Sequence, residues 1–422
     1  MSHSFGKNTG VHYYPSHNFD TQSKLERRVS PGEKIALYVH IPFCETRCFF
    51  CTFSIVAGSK FTGDLVVQYM SALKAEMAYF GRILREQDVS VARIQIGGGT
   101  PTAISADQIK AMFDDIFELF DCSELEEIVF EGFPSSITRE KIRALKSLGA
   151  VKLNVGAQTF DQTLLDEAGR RHDATEAIET FHMCKEEGIA SLGIDLIYGL
   201  PGSSPAIVER DIGILAELPV DHLAFYPLWI YEKTTFDKQI RNGKFDVPKF
   251  EQLCEQLSVG SPLLAQAGFH RYTSFHYARG PQHHHGYGLW QMDTRDWLGL
   301  GMSSMSCLQG TVFFNEKNIE KYMKGINNGQ YETGYGRRMD RDQQMRFCLL
   351  YGIRRKEYLT ADFAARYGVQ PQVYFADLLD HLAHLGFIEV TTTSISLTTE
   401  GIVSLGIVES IINNGLDELV AQ

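Results

Sequence analysis

The sequence predicts an α/β fold on six parallel strands, either a doubly wound sheet or an open, partial barrel, followed by a winged-helix-like unit. Three observations lead there. Between residues 33 and 230 the strand-like stretches KIALYVHI, ARIQIGG, EEIVFEG, KLNVGAQ, SLGIDLIYG and HLAFYPLWI alternate with amphipathic helical ones, the order that builds right-handed βαβ units. Past residue 337 the pattern changes to helix, helix-turn-helix and hairpin. The chain has 422 residues and 44% hydrophobic content, enough for a large core and two or three domains.

Residues 1–30 are polar and aromatic without periodicity and read as an N-terminal extension, lying over the fold or partly disordered. Residues 31–336 form the core and substrate region. Its helices LVVQYMSALKAEMAYFGRIL, SADQIKAMFDDIFELF and DATEAIETFHMCKEEGI come with start signals: Ser105, Asp173 with Glu176 three residues later, and Ser204 before Pro205. Ligands of such folds gather at the carboxyl ends of the strands. Polar residues fall there: GGGTP from Gly97 to Thr100, Glu131 ending IVFE, Gln158 ending NVGAQ and Asp195 in GIDLIYGLP. A glycine-rich exit lets backbone approach a ligand, and polar ends on apolar strands need partners.

Residues 337–422 contain a helix from about Asp340 to Ile353, a helix-turn-helix over TADFAARYGVQPQVYFADLLDHLAHLG and the hairpin FIEVTTTSISLT. Eight basic against eleven acidic residues there argue against DNA reading, as the overall net charge of −12 argues against nucleic acid generally. The acidic amphipathic stretch GIVSLGIVESIINNGLDELV is expected to dock on the core rather than on a membrane. No leader-like start and no apolar run of roughly 18 residues is present, so no transmembrane segment is expected and the location reads as cytoplasmic.

The chemistry is carried by Cys44, Cys48 and Cys51 in YVHIPFCETRCFFCTFS. Thiolates at this spacing suit a 4Fe-4S cluster with one iron left open to a small molecule. A zinc knuckle or buried thiols are the plain alternative, but His40 lies on the preceding strand, away from a ligand-like spacing. Tyr38, Phe43, Phe49, Phe50 and Phe53 are expected to shield the thiolates, and Cys122, Cys184, Cys254, Cys307 and Cys348 to be reduced core or near-core residues. The His283-His284-His285 run reads as a solvated or haem-brushing loop. Tyr226, Trp229, Tyr231, Trp290 and Trp297 are expected around the mouth for a flat apolar or aromatic substrate.

Cys-x3-Cys-x2-Cys just after a strand resembles the radical S-adenosylmethionine superfamily. The order YVHIPFCETRCFFC, GGGTP, acidic strand end, GAQTF, AGRRH, GIDLIYGLPG and DWLGLGMSSMS resembles the oxygen-independent coproporphyrinogen III oxidase family in its broad sense, from residue 34 to about 415. The resemblance implies a partial (β/α)6 radical SAM barrel, with the winged-helix-like domain covering the active site. It implies a first S-adenosylmethionine on the open iron, Tyr38, Gly98, Glu131, Gln158, Arg170 and Asp195. A second molecule is implied near Phe50, Gly99, Thr100, Leu228 and Met305. A reducing electron donor of the flavodoxin or ferredoxin type is implied as well.

Departures from the pattern choose within that family. Phe53 stands where the oxidase typically has a fourth cysteine, and His285 to Trp290 reads HGYGLW where haem chaperones typically have His-Asn-x-x-Tyr-Trp. EGFPSS replaces the segment usual in both. The expected function is a class C radical SAM methyltransferase adding a methyl-derived carbon to an sp2 carbon, with the naphthoquinone ring of menaquinone as the fitting acceptor. The alternatives are a haem chaperone or a porphyrin-acting enzyme, either the oxidase or an anaerobic haem-ring-opening methyltransferase. No residue is singled out as the general base.

Overall fold

The computed structural model describes residues 29–149, 151–331 and 334–414. The N-terminal extension therefore lies outside the described residues except for Val29 and Ser30. Six strands stand parallel and in chain order: β1 (Lys34–Ile41), β2 (Ser90–Gly98), β3 (Glu127–Gly132), β4 (Val151–Gln158), β5 (Ser191–Tyr198) and β6 (His222–Pro227). They are the six stretches read from the sequence. Beyond β6 the sheet continues antiparallel through β7 (His276–Ala278). Beyond β1 it continues through β8 (Trp297–Leu300), a seventh parallel strand, and then three antiparallel ones.

The period-2 alternation of strands sorts the side chains. In β4, Val151, Leu153, Val155 and Ala157 are buried, while Lys152, Asn154 and Gly156 are less so. In β6, Phe225 packs on Gly260 of the helix Phe250–Gln266, which leaves His222, Ala224 and Tyr226 for the inner face. Polar residues of neighbouring strands thus share one surface, where Lys152 pairs with Glu127 at 2.6 Å.

The helix-start signals act as expected. Ser105 and Gln108 form a capping box, Asp173 accepts from Glu176 N, and Ser204 accepts from Ile207 N with Pro205 in the first turn. Asp340 caps Arg341–Gly352. Helices at 360–367, 371–374 and 376–384 precede the hairpin Ile388–Val390 and Ser394–Leu397, which gains Tyr358–Leu359 as a third strand. The last helix breaks at Ser404, and Leu405, Val408, Ile411 and Ile412 are buried, as docking on the core requires. This unit meets the barrel where Phe347 and Tyr351 flank Trp297, where Arg355 and Arg366 reach Asp293 and Thr294, and where Ser274 N donates to Arg354 O. None of those contacts reaches the cysteine loop.

Glu76 fastens the long helix Gly63–Glu86 to the sheet extension. Fully buried, it accepts from Gly301 N, Asn315 Nδ2 and Tyr322 OH, each at 2.7 Å. Tyr69 OH on the same helix donates to His40 O and accepts from Met302 N. Glu76→Leu strands three buried donors and is expected to cost about 3 kcal/mol, read as an earlier midpoint in anaerobic denaturation.

Candidate functional site

Strand β1 runs on into Phe43–Cys44, which pairs with Val56–Ala57 and closes the loop carrying Cys48 and Cys51. Arg47 holds that loop by donating to the carbonyls of Cys51 and Phe53 at 3.3 and 3.2 Å. Cys44 Sγ lies 3.4 Å from Thr100 Oγ1, and Arg170 Nη1 donates to Cys48 Sγ at 3.3 Å. The thiols feel one another: burial foremost, with the neighbouring thiols adding, pushes Cys44 up to about 12, and Cys51 is raised for the same reasons. Thiols in such surroundings are held as thiolates by coordination to a cation.

Among the described residues no three His, Cys, Asp or Glu side chains are set to hold a single metal ion. The residues present fit a 4Fe-4S group: three neighbouring thiols, a guanidinium on one of them, and a buried Arg170 Nε with no partner.

The aromatic shield is narrower than the sequence reading. Phe49 packs on Phe236, and Phe50 joins an apolar cluster with Leu164, Ala168, Leu200, Leu228 and Phe236. Phe43 turns into the core against Phe61 and Tyr69, and Phe53 is 50% exposed. A cleft of about 570 Å³ opens between the loop at Glu45 to Phe49 and Gly169 to Arg171.

Three of the expected polar residues converge around Gly156, and the fourth, Glu131, feels the Asp195 charge. A Cβ there would sit 2.7 Å from Gln158 Nε2, 3.7 Å from Arg170 Nη2 and 3.9 Å from Asp195 Oδ2. Gln158 reaches this place through a bulge in β4, at φ 76°. Arg170 also donates to Gly156 O and lies over the Phe133 ring at 4.2 Å. Glu131 accepts from Gln95 Nε2 at 2.5 Å and from Gly98 N. Burial, then the Asp195 charge, pushes Glu131 up to about 7; burial, opposed by Arg170, pushes Asp195 up to about 6. At Gly97 a Cβ would meet Glu131 Oε1 at 2.7 Å, so only glycine leaves room for that carboxylate.

Tyr38 bonds to His40 Nδ1 at 3.1 Å, while His40 Nε2 lies 3.1 Å from the carbonyl of Ser54. A carbonyl only accepts, so Nε2 carries the proton and Tyr38 OH donates to Nδ1. Gly98, at φ 115°, passes beside that imidazole. The second expected set is less gathered. Gly99 N and Thr100 N donate to Ile41 O and Phe43 O, Phe50 and Leu228 share the apolar cluster, and Met305 packs on the main core.

Two readings need correction. The histidine run is no solvated loop: its three members are half-buried. His283 Nδ1 bonds to Ser191 Oγ at 2.9 Å, His284 stacks on Tyr272 at 3.8 Å, and His285 caps the helix Gly286–Met292. Trp290 and Trp297 are core residues at 2% and 0% exposure, the default for aromatics at regular positions; Tyr226 and Trp229 do face one another, with Phe275. Sequence reasoning also missed Asp211, which accepts from Thr159 Oγ1 and Phe160 N and fixes the chain just after Gln158.

Residues 38–214 match the model of the Radical SAM superfamily. The chain is 28% identical to the haem chaperone HemW of Bacillus subtilis over 86% of its length and 95% of that protein. It is 26% identical to the anaerobilin synthase of Escherichia coli O157:H7 over 79% and 74% of the two. It is 27% identical to the oxygen-independent coproporphyrinogen III oxidase of Salmonella typhimurium over 88% and 83%. The solved coproporphyrinogen III oxidase of Escherichia coli, a radical SAM enzyme, superposes with a TM-score of 0.77 at 23% identity over 92% of each chain, which establishes the fold. These names support the haem chaperone and porphyrin-acting alternatives better than a menaquinone methyltransferase, which they do not support.

Both carboxyls ionise near neutral pH, so donors on a ligand meet better acceptors as pH rises. Affinity for S-adenosylmethionine, measured by anaerobic calorimetry, is expected to grow from about pH 5 to about pH 8, and Glu131→Gln to remove the upper part of that rise. Arg170→Met should keep its iron yet bind the cofactor more weakly, by about tenfold.

Proposed function

We propose an enzyme acting on a tetrapyrrole, of the haem-ring-opening methyltransferase kind, on the match of residues 38–214 to the Radical SAM superfamily and the similarity of the chain to haem chaperones and coproporphyrinogen oxidases. One observation carries this: the cysteine loop and the group formed by Glu131, Gln158, Arg170 and Asp195 share Arg170, next to an inner face bearing Tyr226, Trp229, Phe275 and His276. Rings so placed suit a flat conjugated substrate.

A radical SAM domain works with a 4Fe-4S cluster and S-adenosylmethionine, which together supply a 5′-deoxyadenosyl radical once an electron arrives. Cys44, Cys48 and Cys51 would hold the cluster. Glu131 and Asp195 would accept hydrogen bonds from the cofactor's hydroxyl or ammonium groups, and Arg170 would offer its unpaired Nε. The apolar cluster around Phe50 and Leu228 would keep water from that space and form part of a second cofactor site.

Two features separate this reading from its relatives. Phe53 leaves no fourth cysteine beside the loop, which disfavours the oxidase. Both ring nitrogens of His285 are engaged, Nδ1 by Gly288 N and Nε2 by Gln95, which disfavours that residue as an iron ligand for a carried haem. A second reading, class C methyl transfer to a naphthoquinone, is favoured by the Tyr226–Trp229–Phe275 grouping, which would stack on any flat ring.

Reconstituted protein with dithionite, haem and S-adenosylmethionine bearing a trideuterated methyl tests these readings. The expected products are deuterated 5′-deoxyadenosine, S-adenosylhomocysteine and an opened, methyl-bearing tetrapyrrole with loss of the Soret band. A stable haem complex without product would instead mark a chaperone, product from coproporphyrinogen with deuterium-free 5′-deoxyadenosine an oxidase, and a methylated naphthoquinone the second reading.

A further inference from the structure

We propose that Gln95 and His285 form a relay that orients Glu131 and favours its charged form for the cofactor, which makes His285 a positioning residue. The inference rests on the reading above that Glu131 contacts S-adenosylmethionine. Its observations are the hydrogen bonds that cross the inside of the barrel.

The helix Gly286–Met292 sits at the amino end of the strands. Its first amides, Gly286 N and Tyr287 N, donate to Glu127 at 3.1 and 2.8 Å, and Glu127 is paired with Lys152. His285 caps this helix, with Nδ1 accepting from Gly288 N at 3.2 Å. An acceptor nitrogen carries no proton, so in the neutral ring the proton is on Nε2. Nε2 is 2.8 Å from Gln95 Oε1, and the donor there is His285. That fixes the amide: Gln95 turns its oxygen to the imidazole and its nitrogen to Glu131 Oε1 at 2.5 Å. The whole chain of donors runs one way, from a helix start to a carboxylate two layers higher.

Burial holds His285 below its ordinary range, which keeps the ring neutral and the direction of the relay unchanged near neutral pH. Rings of His276, His222 and Tyr287 surround it at centroid distances of 5.8, 6.2 and 6.3 Å and limit its rotation. Glu131 itself is faced by Gln95 and Gly98 N on β2 and by the Asp195 carboxyl on β5, which Arg170 offsets. His40 stands on the other side of Gly98. Among these, the Gln95 amide is the side chain that donates to Glu131 and so favours its ionised form. A histidine that was only a satisfied core residue would have no bearing on cofactor affinity or its pH dependence. A histidine kept for haem iron would need a ring nitrogen released from these bonds.

The test uses cluster-reconstituted protein and S-adenosylmethionine itself, with affinity measured by equilibrium dialysis across pH. Gln95→Leu and His285→Ala are expected to keep iron content and circular dichroism, to weaken binding about tenfold, and to move the binding midpoint to higher pH. Gln95→Glu preserves shape and replaces the donor with a second carboxyl, so it should raise the midpoint further and provides the readout if the leucine variant does not fold. Parent-like affinity and midpoint in Gln95→Glu would overturn the relay. So would His285→Ala protein that binds the cofactor normally but loses a haem Soret complex formed by the parent. The readout is cofactor affinity, so a failed tetrapyrrole assay leaves the result standing and sinks the substrate reading alone.

Discussion

Arg170 ties two chemistries to one side chain. Its guanidinium donates to Cys48 Sγ and to Gly156 O, while its charge opposes the upward shift of Asp195. A guanidinium stays protonated at any working pH and presents donors in a fixed fork, so the position of the cysteine loop and the geometry of the strand ends are set together. The loop is itself short of regular structure. It is held by the two-residue pairing at Cys44, by Arg47 on its carbonyls and by Phe49 N on Ala168 O. Because Ala168 and Arg170 belong to one turn, displacement of that turn would move a thiol and a carboxylate partner at once.

The acid pair beside it is costly to bury and is stabilised unevenly. Glu131 receives Gln95 and Gly98 N, whereas Asp195 has the opposing charge of Arg170. Two carboxyls brought near each other in a desolvated space cannot both be charged cheaply. The fold tolerates this at the carboxyl ends of parallel strands, where glycines at 97, 98 and 156 let backbone and carboxylates approach. Deeper in the barrel, polar groups are fully matched, as with Glu127, Lys152 and the helix start at Gly286. At the carboxyl ends Arg170 Nε is left without a partner, whereas at the amino ends the donors of Glu127 are in place.

Much of this was legible because strand period and cysteine spacing are local signals. The six strands, the caps at Ser105, Asp173 and Ser204, and the grouping of Glu131, Gln158, Arg170 and Asp195 followed from strand ends and motif order. What escaped depends on packing that no window of sequence contains. Nothing in the helical stretches around Glu76 and Asp211 marks them out, yet both are buried and take donors from distant segments. The consecutive histidines at 283 to 285 read as one feature, but a short turn and a helix cap send them to Ser191, Tyr272 and Gln95. Trp290 and Trp297 were drawn toward a substrate mouth by their aromaticity alone, and the core took them.

Proton placement then links the cysteine loop to the barrel floor. The Ser54 carbonyl, three residues past Cys51, fixes the tautomer of His40 and hence the direction in which Tyr38 donates. Tyr38 lies 6.4 Å from Tyr287, whose amide donates to Glu127 one residue after the Gly286 amide does the same. From that helix start the chain of donors rises through His285 and Gln95 to Glu131. Each member has its donor and acceptor roles assigned by a partner that cannot reverse them, a carbonyl in one case and backbone amides in the other. With both imidazole tautomers fixed, each set of bonds acts as a brace, one on Tyr38 and the other on Glu131, on either side of Gly98, while Glu131 itself gains and loses its proton near neutral pH.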